Sequence, residues 1–431
     1  MDETSLRALL ERALVPEPPV GPVADNSLRA GIKLRRRRRM RAAAGGAAAI
    51  AVIAVAIPVV TGALGHPAAR RTETAQAETL YIAHGRGLGG TVTPISTITN
   101  LPGKPIKAGA ALAIAITPDG KTIYVANVFS DRVTPITTAT NTPGKPIKVG
   151  KTPYRIAITP NGQTAYVANY ESNTVTPITT ATNTAGKPIK VGPHPRGIAI
   201  TLDGKTAYVV DGVDQPGWGT VMPITTATNT AGKPIKVGAS PQTIAMTPDG
   251  KTAYVIGGDT VTPITTATST PGKPIQVGGV QDLSVRGANA ITPDGKTLYV
   301  ANPDAGTVTP VTTATNTVGK PIRVGRGPGA IAITPDGKTA YVVSGVDYPG
   351  WGTVTPITTA TNTAGKPIRV GGDPLAIVVT RDGKTAYVVS TAAGTVTPIA
   401  TATNTPGKPI KAGKGPFTLV IAPGSHGAGH H

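Results

Sequence analysis

The residues best suited to bind a ligand or partner are the aromatic side chains that fall outside an otherwise uniform repeat. The sequence holds only 2 Trp, 11 Tyr and 2 Phe. Eight of the tyrosines recur at one position of the repeat, and the other aromatics do not. Exposed Trp and Tyr side chains stack on sugar rings or anchor a protein partner. The aromatics outside the repeated position are Phe129, Tyr154, Tyr170, Trp218, Tyr348, Trp351 and Phe417.

Both tryptophans lie in two nearly identical segments. Residues 211–219 read Asp-Gly-Val-Asp-Gln-Pro-Gly-Trp-Gly, and residues 344–352 read Ser-Gly-Val-Asp-Tyr-Pro-Gly-Trp-Gly. Asp214 and Asp347 occupy the same place in the two copies, so each tryptophan has a carboxylate nearby. A purely structural alternative remains open, in which each tryptophan folds over its own loop and the duplication reflects repeat copying.

Two arginines accompany the aromatics at points where the repeat varies. Arg196 follows Pro-His-Pro, and Arg286 lies in the longer segment 278–289 with Asp282. We expect these charges to line the mouth of a central channel, with ordinary solvated loop charges as the alternative. The candidate binding residues are therefore Trp218, Trp351, Tyr348, Asp214, Asp347, Tyr170, Tyr154, Phe129, Arg196 and Arg286.

The remaining composition argues against an enzyme without excluding one. The chain has no cysteine, which rules out disulfides, thiolate metal ligands and a cysteine nucleophile. Its histidines are isolated or fall in a glycine-rich tail, and its acidic residues show no metal-ligand spacing. There is no GxSxG, P-loop or HExxH motif. The sequence predicts no catalytic residue, no metal site and no cofactor.

A repeat of 40 to 47 residues organises the chain from residue 80 onward. Strand-forming residues fill each copy, and a period of this length built of strands predicts propeller blades. Each copy predicts four strands, A to D, with Pro-Asp-Gly as the turn between A and B. The repeated tyrosine of strand B is Tyr81, Tyr124, Tyr166, Tyr208, Tyr254, Tyr299, Tyr341 and Tyr387.

The ends of the repeat predict the number of blades. The first copy begins at strand B, and the segment 417–422 supplies one unpaired strand A after the last copy. We therefore expect residues 80–423 to form an all-β, eight-bladed propeller of four-stranded antiparallel blades, with 417–422 completing the first blade. A seven-bladed ring is the alternative. Residues 424–431 are expected to form a disordered tail.

Variation among the copies is concentrated in the B–C and D–A connections. The A–B turn and the C–D segment barely change, whereas the other two connections differ in length and composition. In a four-stranded blade the B–C and D–A connections open on the same face of the ring. Since propellers place binding residues on loops held by a rigid scaffold, we expect this face to bind the ligand or partner.

The repeat resembles the YVTN-type β-propeller repeats of bacterial and archaeal surface proteins. The likeness lies in Ile-Thr-Pro-Asp-Gly-Lys-Thr-Ala-Tyr-Val-Ala-Asn and Thr-Ala-Thr-Asn-Thr, with Tyr-Val-Ala-Asn at 124–127 and 166–169. One departure is Pro-Ile-Thr at 135–137, where the family usually carries Val followed by Ile-Asp. The resemblance implies a binding or surface role rather than a particular reaction.

The first 79 residues predict a membrane anchor. The basic segment 1–41, with arginines at 35–39, precedes an apolar stretch at 42–64 that is long enough to cross a bilayer as one helix. The positive-inside rule places the tail in the cytoplasm and the propeller outside, with 65–79 as a linker. A secreted protein cleaved after Ala77 is the alternative.

The net charge of +20 has two sources. Residues 80–431 carry 30 Lys or Arg against 15 Asp or Glu, mostly in repeated positions, and the rest of the excess lies in the basic tail. Because aromatics do not alternate with these lysines, a nucleic-acid partner is not expected. The sequence predicts an extracytoplasmic binding scaffold for a protein or a cell-envelope polysaccharide. A lactonase-like or cofactor-dependent enzyme and a structural surface-layer component are the alternatives.

Overall fold

The protein is an all-β, eight-bladed propeller in a computed structural model that describes residues 78–85, 90–212, 218–278, 288–345 and 352–423. Each blade is an antiparallel sheet in the order A, B, C, D. The A strands of neighbouring blades contact one another all the way round, so strand A lines the centre of the ring. The seven-bladed alternative is therefore wrong.

Strand A is the innermost strand of each blade. From blade 1 to blade 8 the A strands are β39 (Pro416–Ala422), β4 (Ala111–Ile116), β9 (Pro153–Ile158), β14 (Pro195–Ile200), β19 (Pro241–Met246), β24 (Asn289–Ile291), β29 (Ala330–Ile333) and β34 (Pro374–Val379).

Strands B and C follow outward. The B strands, in the same blade order, are β1 (Thr79–His84), β5 (Thr122–Asn127), β10 (Thr164–Asn169), β15 (Thr206–Asp211), β20 (Thr252–Gly257), β25 (Thr297–Asn302), β30 (Thr339–Ser344) and β35 (Thr385–Ser390). The C strands are β2 (Thr91–Ser96), β6 (Arg132–Thr137), β11 (Thr174–Thr179), β16 (Gly219–Thr225), β21 (Thr260–Thr265), β26 (Thr307–Thr312), β31 (Thr353–Thr358) and β36 (Thr395–Ala400).

The outer strand D is split by Gly-Lys-Pro into two short pieces. Its proline cannot donate to a ladder, and the exposed basic residues beside it protect the edge from pairing with another sheet. Blade 1 has β3 (Ile106–Lys107), and blades 2 to 8 have β7 (Thr142–Pro143) and β8 (Ile147–Lys148), β12 (Thr184–Ala185) and β13 (Ile189–Lys190), β17 (Thr230–Ala231) and β18 (Ile235–Val237), β22 (Thr270–Pro271) and β23 (Ile275–Gln276), β27 (Thr317–Val318) and β28 (Ile322–Arg323), β32 (Thr363–Ala364) and β33 (Ile368–Arg369), β37 (Thr405–Pro406) and β38 (Ile410–Lys411).

The first blade is assembled from both ends of the propeller. Strand β39 pairs antiparallel with β1, with Thr79 opposite Ala422 and Leu80 opposite Ile421. Strands β2 and β3 complete the sheet. The ring is thus closed by backbone hydrogen bonds within one blade.

Apolar side chains pack between the blades rather than in one central core. Eight separate clusters fill the eight boundaries, each joining residues of two neighbouring blades. At the boundary of blades 7 and 8, for example, Ala330 and Ala332 of β29 face Ile377 and Val379 of β34. Alternate residues of one A strand therefore face the next blade.

The repeated tyrosine joins each blade to the next. The hydroxyl of Tyr124 donates to Oδ1 of Asn183 at 2.7 Å, and that of Tyr387 in blade 8 donates to Oδ1 of Asn100 in blade 1 at 2.9 Å. These asparagines are the fourth residue of the C–D turn, which reads Thr-Ala-Thr-Asn-Thr around Asn183 and Thr-Ile-Thr-Asn-Leu around Asn100, and have φ near +54°, which Asn tolerates better than most residues. In blade 5 a serine, Ser269, takes the place of the asparagine.

The A–B turns are held by one short polar network. The Asp119 carboxylate accepts hydrogen bonds from the Thr117 hydroxyl at 2.6 Å and from the Lys121 amide at 3.0 Å. These bonds hold the pKa of Asp119 below its usual range, against the opposing effect of burial. Gly120 supplies the positive φ of +73° that the turn requires. Stabilisation of the A–B turn therefore explains why aspartate recurs at this position.

The described residues contain no helix able to cross a bilayer. The predicted basic tail 1–41, the apolar stretch 42–64, most of the linker and the tail 424–431 lie outside those residues.

Candidate functional site

The candidate site lies on the face of the ring that carries the B–C and D–A connections, called here the variable face. Antiparallel order A-B-C-D puts both connection types at one end of every blade. The A–B and C–D turns lie at the opposite end. The variable face therefore surrounds one mouth of the channel lined by the A strands.

A β-bulge occurs at the start of strand A, at the end of the strand next to this mouth. In six blades the register of A against B skips one residue, as between Pro153 and Arg155 in blade 3 or Pro195 and Gly197 in blade 4. Bulges bend a strand and re-aim a side chain. The skipped residues are Phe417, Leu112, Tyr154, Arg196, Gln242 and Leu375 in blades 1 to 5 and 8. Tyr154 and Arg196 thus lie within strand A.

Five side chains at the boundary of blades 3 and 4 form an aromatic–arginine cluster. The rings of Tyr154 and Tyr170 have centroids 5.4 Å apart, and Tyr170 stacks on His194 at 4.6 Å. Nη2 of Arg196 donates to the Tyr170 hydroxyl at 3.3 Å, and the Arg155 guanidinium lies 4.6 Å from the Tyr154 centroid. All five side chains are partly buried. Three predicted site residues therefore lie together.

Arg155 belongs to this cluster but was not among the predicted site residues. It occupies the strand A position that is Ala, Gly or Thr in the other seven blades, as in Ala113, Gly197 and Thr243. Its Nη1 donates to the carbonyl oxygen of Tyr154 at 3.1 Å, and burial lowers its pKa. The departure from a small residue is visible in the aligned copies and could have identified it.

Arg196 reaches Tyr170 because a glycine leaves room for it. A Cβ atom on Gly212 would fall 2.6 Å from Cδ of Arg196, closer than real contacts allow. The Gly212 amide also donates to the His194 carbonyl at 3.0 Å, which holds the D–A connection against the end of strand B. The sequence therefore builds the cluster from two bulges and one glycine.

Two further predicted aromatics are exposed on the variable face. Phe129, in the B–C connection of blade 2, has 81% of its surface exposed, and Trp218, before strand C of blade 4, has 68%. Both belong to blades that flank or form the cluster. The other predicted site residues, Trp351, Tyr348, Asp214, Asp347 and Arg286, lie outside the described residues.

A ring of buried polar side chains beneath the variable face was also not among the sequence predictions. Seven of the eight B strands end in such a residue, and a glycine of the preceding D–A connection packs against it, as Gly192 does against Asp211. Burial raises the pKa of Asp211 to about 7, although hydrogen bonds from the Thr220 hydroxyl and the Gly192 amide favour its ionised form. The ring comprises His84, Asn127, Asn169, Asp211, Asn302, Ser344 and Ser390, and blade 5 has Gly257 at the same position.

These polar residues fit a structural role better than a catalytic one. His84 bonds the Thr93 hydroxyl and the Lys414 carbonyl at 3.0 Å each, and burial lowers its pKa. Asn169 donates to the Thr176 hydroxyl at 2.9 Å. Within the described ranges, no three His, Asp or Glu side chains gather as metal ligands would.

One acidic residue at the edge of the propeller was also not predicted. Glu78, just before β1, is buried, and its carboxylate accepts a hydrogen bond of 3.3 Å from the Arg381 amide in blade 8. Arg381 occupies the turn position that is Pro in most blades, and Pro has no amide to donate. Glu78 therefore ties blade 1 to blade 8.

The comparisons with known proteins agree with the propeller fold, although the matching family model is described with seven blades rather than eight. A family model described as "Lactonase, 7-bladed beta-propeller" matches residues 83–188, about two and a half blades of the ring. The search of curated proteins gave no match.

Solved structures resemble the propeller over most of its length at low sequence identity. Dihydro-heme d1 dehydrogenase NirN has a TM-score of 0.65 and 14% identity over 97% of this chain and 86% of that one. Apo AztD from Citrobacter koseri has a TM-score of 0.61 and 14% sequence identity, over 81% of this chain and 99% of that one. A putative 6-phosphogluconolactonase from Bacteroides fragilis has a TM-score of 0.54 and 19% sequence identity, over 82% of this chain and 99% of that one. These likenesses show that the chain has the β-propeller fold.

Proposed function

We propose that this protein is a membrane-anchored, extracytoplasmic propeller that binds a cell-envelope glycan or a protein through the variable face. The observation that carries the proposal is the set of aromatic side chains on the variable face of blades 2 to 4: Phe129 of blade 2 and Trp218 of blade 4 are exposed, and the aromatic–arginine cluster lies at the boundary of blades 3 and 4. Exposed aromatics of this kind are enriched where proteins bind partners. The rest of the ring supplies the rigid support.

The other features of the chain agree with such a role. The repeat resembles YVTN-type surface propellers, and the apolar stretch 42–64 follows a run of arginines. The excess of basic residues would attract anionic envelope polymers over long distances. Each of these supports an extracytoplasmic binding protein without naming its ligand.

The binding test uses full-length protein purified in detergent and incubated with an isolated cell-envelope fraction. We expect the double variant Phe129→Ala, Trp218→Ala to lose most of its retention, because two exposed aromatic anchors are removed. Ile98→Ala is the matched control, since Ile98 is 62% exposed but lies in a C–D turn on the opposite face. Unchanged retention of the double variant would refute the proposed binding face.

The topology test exploits the absence of cysteine. A single cysteine at Ser130, which is exposed beside Phe129, should react with a membrane-impermeant maleimide in intact cells. A cysteine at Ser5 in the basic tail should react only after lysis. Labelling of both sites in intact cells, or of neither, would contradict the anchor.

An enzyme remains the second candidate because the matching family model is described as a lactonase. The carboxylates to test are Asp214 and Asp347, in the two duplicated segments. Lactone hydrolysis by the purified protein that disappears in Asp214→Asn, Asp347→Asn would favour the enzyme. Absence of hydrolysis with intact envelope binding would favour the scaffold.

A further inference from the structure

The aromatic–arginine cluster forms a continuous row of contacts across the boundary of blades 3 and 4. The Arg155 guanidinium lies over Tyr154, Tyr154 packs beside Tyr170, and Tyr170 stacks on His194. Arg196 approaches from blade 4 and bonds the Tyr170 hydroxyl. Two guanidinium groups from neighbouring strands are thereby held at the same boundary.

Arg155 carries a charge that the described part of the protein does not balance. Among the described residues, no carboxylate forms an ion pair with it. Burial lowers its pKa, yet an arginine stays protonated in proteins. A partly buried guanidinium without a counter-ion is costly, and an external anion would offset that cost.

Two contacts restrict the position of the Arg155 guanidinium group. Its Nη1 donates to the Tyr154 carbonyl oxygen at 3.1 Å, and its Cζ lies over the Tyr154 ring, 4.6 Å from the centroid. Arginine has five N–H donors, and those not used here can form the paired bonds that carboxylates and phosphates accept. A preorganised fork loses less entropy on binding.

The repeat itself indicates that this arrangement is not needed for folding. The other seven blades fold with Ala, Gly or Thr in place of Arg155. Alternate residues of strand A face the next blade, so Arg155 faces blade 4, from which Arg196 reaches back to Tyr170. The large cationic side chain is thus an addition to the scaffold at one boundary.

We propose that the boundary of blades 3 and 4 is an oxyanion-binding subsite, in which Arg155 holds a carboxylate or phosphate group of the ligand beside Arg196. The inference rests on the proposed function, since it identifies the chemistry by which the variable face recognises an envelope polymer. Tyr154, Tyr170 and His194 act as positioning residues that hold the two guanidinium groups.

The test measures dissociation constants of small anions with the full-length protein in detergent at low salt. The probes are D-glucuronate for a carboxylate and sn-glycerol 3-phosphate for a phosphate, with D-glucose and glycerol as their neutral analogues. We expect at least one anion to bind more tightly than its analogue. Binding of glucuronate alone indicates a carboxylate-bearing polymer, and binding of glycerol phosphate alone indicates a phosphate-bearing one.

Variants separate the subsite from the general basic charge. Arg155→Ala, which restores the residue of blade 2, should weaken binding by about tenfold or more, because a charged hydrogen-bonding partner is lost. Arg155→Lys keeps the positive charge but loses the planar guanidinium group that forms paired hydrogen bonds, so it should weaken anion binding by about threefold. Arg132→Ala, an exposed arginine at the start of strand C in blade 2, should change it by less than about twofold.

The subsite is refuted if neither anion binds better than its neutral analogue, or if Arg155→Ala binds as tightly as the unaltered protein. An equal effect of Arg132→Ala would also overturn it, because net charge alone would then explain binding. The outcome is separable from that of the proposed function. Envelope retention is tested with Phe129 and Trp218, whereas small-anion affinity is tested with Arg155.

Discussion

The inner strands on two sides of the channel share one repeat but differ in burial. On the packed side, formed by blades 8, 1 and 2, every residue of β34 is buried and β39 has one partly exposed position. On the open side, formed by blades 3, 4 and 5, five of the six residues of β9 are partly exposed. The bulge residues differ in polarity in the same way. They are the apolar Leu375, Phe417 and Leu112 on the packed side, and Tyr154, Arg196 and Gln242 on the open side.

The comparison shows which part of a blade can vary without loss of the ring. The tyrosine–asparagine bond and the A–B turn are alike on both sides, as Tyr387 with Asn100 and Tyr166 with Asn229 show. Variation lies in the B–C and D–A connections and in the strand residues next to them, all at the variable face. One side of the channel therefore has buried apolar side chains at the bulge position, while the other has partly exposed polar ones.

The largest expected effect comes from the bulge position on the packed side. Phe417→Ala should lower the free energy of unfolding by about 3–5 kcal/mol, because Phe417 is 1% exposed and its removal leaves a cavity. Tyr154→Ala, at the same position on the open side, should cost less than about 1.5 kcal/mol. Urea unfolding followed by circular dichroism measures both. Equal losses would mean that the two sides do not differ energetically.

The second effect concerns Asp211, whose carboxyl is buried at the end of strand B on the open side. Its pKa is about 7 in the folded protein, against a usual value of 3.8, so the folded state keeps a proton that the unfolded chain releases. The contribution of this group to stability therefore falls as the pH rises from about 4 to about 7. Asp211→Asn should raise the free energy of unfolding at pH 8, by up to roughly 4 kcal/mol, and little at pH 4.

The control for this prediction is the reciprocal change on the neighbouring blade. Asn169 occupies the same position in blade 3, so Asn169→Asp should lower stability at pH 8 and have less effect at pH 4. Denaturant midpoints measured across the pH range test both variants. If Asp211→Asn shifted stability equally at both pH values, ionisation of Asp211 would not be the cause.

A smaller and equal effect is expected for the tyrosine hydroxyls on the two sides. Tyr387→Phe and Tyr166→Phe should each lower the free energy of unfolding by about 1 kcal/mol, because each removes one partly buried hydrogen bond to an asparagine. Their midpoints in urea should agree closely. A much larger loss for Tyr387→Phe would indicate that the boundary between blades 8 and 1 is the weak point of the ring.

The smallest effect is expected from the hydroxyl of Tyr170. Tyr170→Phe removes the acceptor of the 3.3 Å bond from Arg196 but keeps the ring. Stability should change by less than about 0.5 kcal/mol, since the hydroxyl is only partly buried. Affinity for the anion that binds the subsite should fall by about threefold, because Arg196 is less well positioned. An unchanged affinity would remove Tyr170 from the positioning residues.

Much of the scaffold could be predicted from the sequence because each copy of the repeat contains nearly the same residues and forms one blade. Strand-forming runs, Pro-Asp-Gly turns and the unpaired strand at the end specify eight blades. The role of Asn183 could not be predicted, since its bond to Tyr124 joins residues that meet only once the ring is formed. Local pattern contains no information about which blade follows which in space.

The site was harder to predict because a bulge is invisible in an alternating pattern. One additional residue in strand A changes which side chains share a face, so Tyr154 and Arg155 come together although they are neighbours in sequence. His194 and Gly212 join the cluster through backbone geometry rather than through any motif. Aligning the copies would have marked Arg155 as an exception, but not its partners.

The pairing of β39 with β1 has a consequence for the order of folding. Blades 2 to 8 can form from contiguous sequence as the chain emerges, but the first blade has to wait for Pro416–Ala422, because its innermost strand is the last to be made. Joining distant segments costs loop-closure entropy and is slow. A product that stops before Pro416 would leave the edge of β1 unpaired, and open strand edges promote aggregation. The propeller therefore closes only after the strand Pro416–Ala422 has been synthesised.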